Sequence, residues 1–190
     1  KKSEKLYECF ESPTDLDLKR KKLLNMGRPP VYDRSALGLT NEKKIMLRKG
    51  NNPHWRFLLN NNRVNWEDTI LGPISIDCAS VSDPVLIRAD GQFLYTLASV
   101  VDDVDMGITD VVRGSDHVTN TATQIQITEA HSKSTPCYSH HSLLTGPSGE
   151  NLSKRLGVMS LRDLRSAGIE PMAILSHLAR LGSSQPAELF

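Results

Sequence analysis

The sequence predicts an α/β chain with an α+β front part, a unit of parallel sheet behind it and two closing helices. Residues 12–49 carry two helical stretches with start and stop signals, and short extended runs separated by Asn and Gly turns follow them. Residues 108–143 read strand, polar turn, helix, strand, which is one unit of a parallel sheet. Residues 160–182 hold two further capped helices.

The first helix is expected over 12–27. Ser12-Pro13-Thr14-Asp15 supplies an N-cap, a first-turn proline and a carboxylate three residues after the serine. Leu16, Leu23 and Leu24 fall near one face, the KRKK run at 19–22 lies outside, and Gly27 ends the helix. A shorter helix fits 41–49 between Thr40 and Gly50. HWRFLL (54–59), RVNW (63–66) and SIDCAS (75–80) are extended candidates, and VLIR (85–88) with FLYTL (93–97) reads as a hairpin around Ala89-Asp90-Gly91. Ile108 to Val112 is a candidate buried strand ending at Arg113-Gly114. A helix over 117–130 is expected to be capped near Asp116, with Val118, Ile125 and Ile127 inward, and a strand over 137–143 follows. Ser160 with Asp163 opens one closing helix, and Pro171 opens the other, which runs to Gly182.

The chain of 190 residues is long enough for one or two domains with a real core. No apolar run approaches the roughly 18–20 residues that span a bilayer, so no membrane partner is expected. No secretory signal is visible, and the charged KKSEK start without an initiator Met fits a chain cut from something longer. Net charge is +1, but residues 1–67 hold 15 Lys/Arg against 8 Asp/Glu, and residues 68–190 hold 8 against 14. A basic front suits a polyanion such as nucleic acid, or is simply a solvated face. Cys9, Cys78 and Cys137 are far apart and odd in number, which fits a reducing, cytoplasmic setting better than a zinc pair or a disulfide framework.

Several chemistries are excluded by spacing. In DDVDMGITD (102–110) a calcium loop with Gly107 at position six would put Val104 and Met106 at ligand positions. Gly146-Pro147-Ser148-Gly149 is followed by no Gly-Lys-Ser/Thr, so it is not a P-loop. His140 and His141 are neighbours on a strand and face opposite ways, one buried and one exposed. No nucleophilic triad has a supporting local pattern. Two constellations remain. At Arg113-Gly114-Ser115-Asp116-His117 a guanidinium, a carboxylate and an imidazole gather at a strand end, although Asp116 could equally be a cap. In GENLSKRLG (149–157), Ser153 and Lys154 sit on a glycine-flanked loop suited to a transient negative charge such as nucleotide phosphates.

Three segments together resemble the bacterial glutamyl-tRNA synthetases, a class I aminoacyl-tRNA synthetase family: GRPPVYDRSALGLT (27–40), residues 83–125, and LLTGPSGENLSKRLG (143–157). The last is similar to the second class I signature, written KMSKS and commonly KLSKR in this family. PHWRF (53–57) and RDLRSAGIEPMA (162–173) look like the alphaproteobacterial branch. The resemblance implies the second half of a Rossmann catalytic domain at 93–150, interrupted by an α+β connective domain that binds the tRNA acceptor stem at 1–92. Residues 151–190 would then be the signature loop and the start of a helical stem-contact domain. It implies that Tyr95 and Arg113 bind the L-glutamate substrate. Asp116, His117, Leu144, Leu152, Lys154 and Arg155 would lie at ATP positions. Asn151, Leu152, Ser153, Lys154 and Arg155 would form the signature loop, with Lys154 and Ser153 acting in catalysis. ATP with Mg2+ and a monomeric state are implied too. Glutamate would attack the α-phosphorus of ATP, and a terminal ribose hydroxyl of tRNA would then take the glutamyl group. Such chemistry rests on positioning and charge stabilisation, which accords with the absence of an acid–base pair.

The chain departs from the family pattern in three places. The other signature, His-Ile-Gly-His, is absent, so this polypeptide alone is not expected to form glutamyl-adenylate. Some members bind zinc through a Cys-x-Cys pair and later Cys/His ligands; here Cys9 is followed by Glu11 and Ser12, with no ligands near Tyr32, and no structural zinc is expected. Asn151 replaces the first signature lysine, and Ser115 replaces a usual acid. The alternatives are a paralogue that glutamylates a modified tRNA base, and a non-catalytic tRNA-binding fragment.

Overall fold

A computed structural model of the chain describes residues 5–131, 134–146 and 160–181. It divides into two compact units, Lys1–Ser142 and Leu143–Phe190.

The first unit is built on two sheets. One is antiparallel, in the order β1 (Leu6–Cys9), β2 (His54–Phe57), β5 (Val85–Ile87). The other runs β4 (Gly72–Asp77), β3 (Arg63–Asp68), β7 (Cys137–His141), β6 (Asp110–Gly114). In it β3 and β4 form an antiparallel hairpin, whereas β7 is parallel to β6 along its length and meets β3 in parallel where Asp68 faces Tyr138. Helix α4 (Val118–His131) connects β6 to β7, so the expected parallel unit is present.

The front helices follow their start signals. Helix α1 (Pro13–Asn25) opens on a capping box in which Ser12 and Asp15 each bond the other's backbone N–H. Thr40 Oγ1 accepts from Lys43 N at the start of α2 (Asn41–Arg48). Neither helix buries a residue among the described atoms. Between them, Tyr32 and Ala36 pack with Tyr7 and Cys9 in a small core. Beside it the buried Asp83 carboxylate accepts from Tyr7 Oη (2.6 Å), Arg34 Nη2 (2.8 Å) and Leu59 N (3.0 Å).

Four strand expectations need correction. Residues 93–97 do not complete a hairpin: Ile87 and Phe93 form one isolated bridge, and helix α3 (Tyr95–Asp105) begins at once. Leu94, Leu97 and Val101 repeat at helical spacing, and Leu97 with Val100 packs against Phe57, Leu59, Leu86 and Ile127. The strand expected from Ile108 to Val112 begins at Asp110, because Ile108 N closes the end of α3 on Asp103 O around Gly107, whose φ is +64°. It is an edge strand rather than a buried one, with Val112 66% exposed. SIDCAS is strand only to Asp77, whose carboxylate accepts from Ala79 N and turns Cys78–Ser80 into a 3-10 segment. The strand expected at 137–143 ends at His141.

In the second unit α5 (Leu161–Ser166) starts with the expected Ser160–Asp163 capping box, and α6 (Pro171–Leu181) starts at its proline. Between them Gly168 takes φ +76° while Ile169 N returns to Leu164 O.

Candidate active site at the end of strand β6

Strand β6 delivers Arg113 to the carboxyl end of the parallel pair, the place where open α/β sheets bind ligands. Its neighbour across the ladder is His140 on β7, fully buried and on the same face. His140 Nδ1 lies 2.5 Å from Asp68 Oδ2, and Asp68 ends β3. The other oxygen of Asp68 accepts three backbone N–H groups, from Ile70 (3.1 Å), Leu71 (3.0 Å) and His140 (3.1 Å). Burial alone would raise the Asp68 carboxyl, but these hydrogen bonds and His140 outweigh it and hold the group well below the usual carboxylate range.

The ring orientation follows from which groups can donate. Arg113 Nε, which only donates, points at His140 Nε2 (3.3 Å). Nε2, with Thr121 Oγ1 also 3.0 Å from it, therefore accepts, and the ring proton sits on Nδ1, where it donates to Asp68. Arg113 Nη2 donates to Thr121 Oγ1 and Gln124 Oε1, both at 2.6 Å. Gln124 Nε2 continues to Ser99 Oγ on α3 (2.8 Å), and Thr121 is anchored to the His117 carbonyl (3.1 Å). Tyr138 lies beneath the guanidinium, 5.5 Å from ring centre to Cζ. Burial pushes the Tyr138 phenol up to about 12 against the opposing pull of Arg113.

The fork of Arg113 is therefore largely committed inside the protein. Nε and both Nη2 hydrogens are engaged, and Nη1 makes only a long 3.5 Å contact to Tyr95 Oη. A ligand meets Nη1 end-on, not the bidentate face that a free guanidinium would offer. Tyr95 is 55% exposed at the start of α3, with its ring 5.7 Å from the His117 imidazole in an edge-on arrangement.

Tyr95, Arg113 and His117 thus come together, and Asp116 stays beside His117 at 3.9 Å, exposed. Asp116 is not the cap of α4: it lies within a 3-10 turn, Ser115–His117, that runs straight into the helix. Leu144 is exposed and belongs to the second unit. Asn151, Leu152, Ser153, Lys154 and Arg155 lie outside the described residues. Of the buried partners, sequence reading found only that one of His140 and His141 would be inside, and His140 is. Asp68, Thr121, Gln124 and Ser99 carried no local signal. Among the described residues the donors that could share a metal ion lie elsewhere, where β1 meets β2.

The fold and this strand end define an α/β sheet with Arg113, Tyr95 and His117 gathered at the carboxyl end of its parallel pair. The chain belongs to the family described as tRNA synthetases class I (E and Q), catalytic domain, whose model matches residues 2–189. It is 70% identical over 186 residues to glutamate–tRNA ligase 1 of Cereibacter sphaeroides (strain ATCC 17025 / ATH 2.4.3), covering 98% of this chain and 42% of that protein. Glutamate–tRNA ligase 1 of Ruegeria pomeroyi (strain ATCC 700808 / DSM 15171 / DSS-3) is 68% identical, with 97% and 42% covered. These relatives are alphaproteobacterial, as PHWRF and RDLRSAGIEPMA suggested. The crystal structure of a glutamate tRNA ligase from Elizabethkingia meningosepticum CCUG26117, in complex with its amino acid, is similar with a TM-score of 0.80 at 27% identity. That match covers 96% of this chain and 42% of the other. The chain therefore spans less than half the length of the relatives it matches.

Proposed function

We propose that this chain is part of an enzyme that ligates L-glutamate to tRNA with ATP, through glutamyl-adenylate. The carrying observation is Arg113, held rigid by Asp68, His140, Thr121 and Gln124, with Nη1 left open beside Tyr95. A fixed cation with one outward donor selects a carboxylate without rearranging. The names of the 70%- and 68%-identical relatives support glutamate as the amino acid.

In this reading Nη1 of Arg113 and the Tyr95 hydroxyl bind the substrate side chain. Asp116 and His117 border ATP together with Leu144 and Leu152, and Lys154 and Arg155 steady its phosphates. Ser153 and Asn151 complete the signature loop. Mg2+ would screen the phosphate charge while the α-carboxylate attacks. Residues 1–92 would carry the acceptor-stem contacts, 93–150 the second catalytic half, and 151–190 the start of the stem-contact helices. The β3–β4 hairpin of the front part adds to the catalytic sheet. The basic excess supports the acceptor-stem reading. Lys19 and Lys21 are tied to Asp33 and Asp17, so Arg20, Lys22, Lys43, Lys44 and Lys49, without an ion-pair partner among the described residues, are the better phosphate contacts. No helix among the described residues is long and apolar enough to cross a membrane. A cytoplasmic monomer fits this reading.

The test is pyrophosphate exchange by the full-length protein with L-glutamate, L-glutamine or L-aspartate. Exchange driven by L-glutamate, and cut about 100-fold or more in kcat/KM by Arg113→Lys, is expected, because an ammonium cannot hold Thr121, Gln124 and His140 at once. No glutamate-dependent exchange, or an undiminished R113K variant, refutes the reading. A Lys154→Ala variant that loses exchange but keeps tRNA affinity separates the enzyme from a mere binder.

A further inference from the structure

We propose that Gln124 is a positioning residue that sets the charge preference of the Arg113 site. It holds the guanidinium through a neutral oxygen, so the full positive charge stays available at Nη1 and a carboxylate is taken over a carboxamide of the same shape. The inference rests on the reading of Arg113 as the group that meets the substrate side chain. Gln124 stands three residues after Thr121 on α4, so both side chains leave one face of the helix. Arg113 Nη2 donates to both, at 2.6 Å each. A guanidinium only donates, so the amide oxygen of Gln124 faces Arg113, and its nitrogen donates to Ser99 Oγ on α3 (2.8 Å).

Every acceptor around Arg113 is neutral: a hydroxyl, a carboxamide and the unprotonated nitrogen of His140. Arginines held inside proteins are ordinarily paired with carboxylates. Arg34 and Arg48 of this chain are, with Asp83 (2.8 Å) and Glu8 (2.6 Å). Among the described residues no carboxylate is in ion-pair contact with Arg113. Asp68 stands one residue away, behind His140, and its oxygens are taken by His140 and three backbone N–H groups. Asp103 on α3 is near enough for Arg113 to pull its carboxyl down, but burial outweighs that pull and raises it.

The side chains of L-glutamate and L-glutamine share one shape and differ in charge. Nη1 of Arg113 and the Tyr95 hydroxyl can hydrogen-bond an oxygen of either, so charge is what separates them. Glutamate at position 124 would fill the same space, and the Ser99 hydroxyl would turn to donate to it. It would also spend the charge of Arg113 inside the protein. Gln124 is 2% exposed, so water would screen such a pair little. A carboxamide at this position therefore does what a carboxylate of equal size cannot: it fixes the guanidinium without neutralising it.

The experiment uses the full-length protein and measures calorimetric affinity for two matched pairs, L-glutamate with L-glutamine and L-aspartate with L-asparagine. Gln124→Glu should lower the preference for the acid over its amide at least about 100-fold, by weakening the acid and not the amide. Gln124→Met removes the acceptor and leaves the charge. It should weaken the acid about tenfold and move the acid-to-amide ratio much less than Q124E does. Should Q124E fail to fold, Thr121→Asp sets a carboxylate against the same nitrogen and carries the comparison. A Q124E protein that keeps the wild-type ratio overturns the proposal, as does one that weakens acid and amide alike, the mark of a merely structural residue. Wild-type protein that prefers aspartate would remove glutamate as the substrate, while the shift within the aspartate pair would still decide the role of Gln124.

Discussion

Asp68→Asn should convert the Arg113 site from a fixed to a mis-wired one while keeping its shape. The amide oxygen can still accept from Ile70, Leu71 and His140 N, so the turn after β3 survives. The amide nitrogen now faces His140 Nδ1 and donates to it, which moves the ring proton to Nε2. That N–H can donate to Thr121 Oγ1 at 3.0 Å, but Arg113 Nε, 3.3 Å away and itself a donor, loses its acceptor. Replacing a charge-assisted hydrogen bond by a neutral one costs about 1–1.5 kcal/mol, and the Arg113 Nε donor left without an acceptor adds about 1–2 kcal/mol. The sum of about 2–4 kcal/mol corresponds to a fall in Tm of about 5–12 °C for a chain of this size. Denaturant unfolding and calorimetry on the full-length protein read the loss, and 15N-resolved imidazole spectra read the tautomer. The pH response has a definite sign. The folded Asp68 carboxyl lies below its unfolded value, so its stabilisation is complete above about pH 4 and is lost as pH falls from there. The variant should lack that part of the acid limb. A D68N protein within about 0.5 kcal/mol of wild type, or one whose His140 keeps its proton on Nδ1, would refute the reasoning.

Two other substitutions test the front part. Tyr7→Phe removes the buried 2.6 Å donor to Asp83 and should cost about 1.5–3 kcal/mol in chemical denaturation, with Arg34 and Leu59 N still holding the carboxylate. Ser12→Ala takes away the side-chain half of the capping box, leaving the backbone N–H of residue 12 on Asp15, and should cost about 1 kcal/mol. Because α1 buries no residue, hydrogen exchange should register that loss in the first turn of α1 before any global change is seen.

What could be read in the sequence was whatever is encoded locally. Ser12 with Asp15, Thr40, Ser160 with Asp163, and Pro171 each marked a helix start that the structure contains. The parallel unit around 108–143 was also visible, displaced by two residues because Gly107 draws Ile108 into the end of α3. FLYTL misled because aromatic and β-branched residues favour strands, while burial of Leu97 and Val100 chose the helix. The site was half legible. Arg113 could be named from its strand end, and Tyr95 only through the family resemblance. The residues that aim Arg113 could not, since Asp68 reaches His140 only after a hairpin begun at Arg63 joins the sheet beside β7. The same non-local logic brings His54 to Cys9.

Helix α4 shows why such a site needs a polar interior. Its core, Thr121 to Thr128, alternates in a manner that suits a strand, and all eight residues are buried. A surface helix would show one apolar stripe. This one lies between two cores instead: Ile127 packs with Phe57 and Leu86, while Ala122 and Ile125 pack with Val64 and Tyr138. Its polar side chains are then obliged to find partners inside the protein. Gln126 takes the Asn60 backbone through Oε1 (2.7 Å) and Nε2 (3.2 Å), which ties the β2–β3 connection to the helix. Thr121 and Gln124 take Arg113. An all-apolar helix would pack as well and leave the guanidinium free to swing. The buried threonines and glutamines give up apolar burial for direction, and the direction they impose is toward the one open nitrogen that a carboxylate can meet.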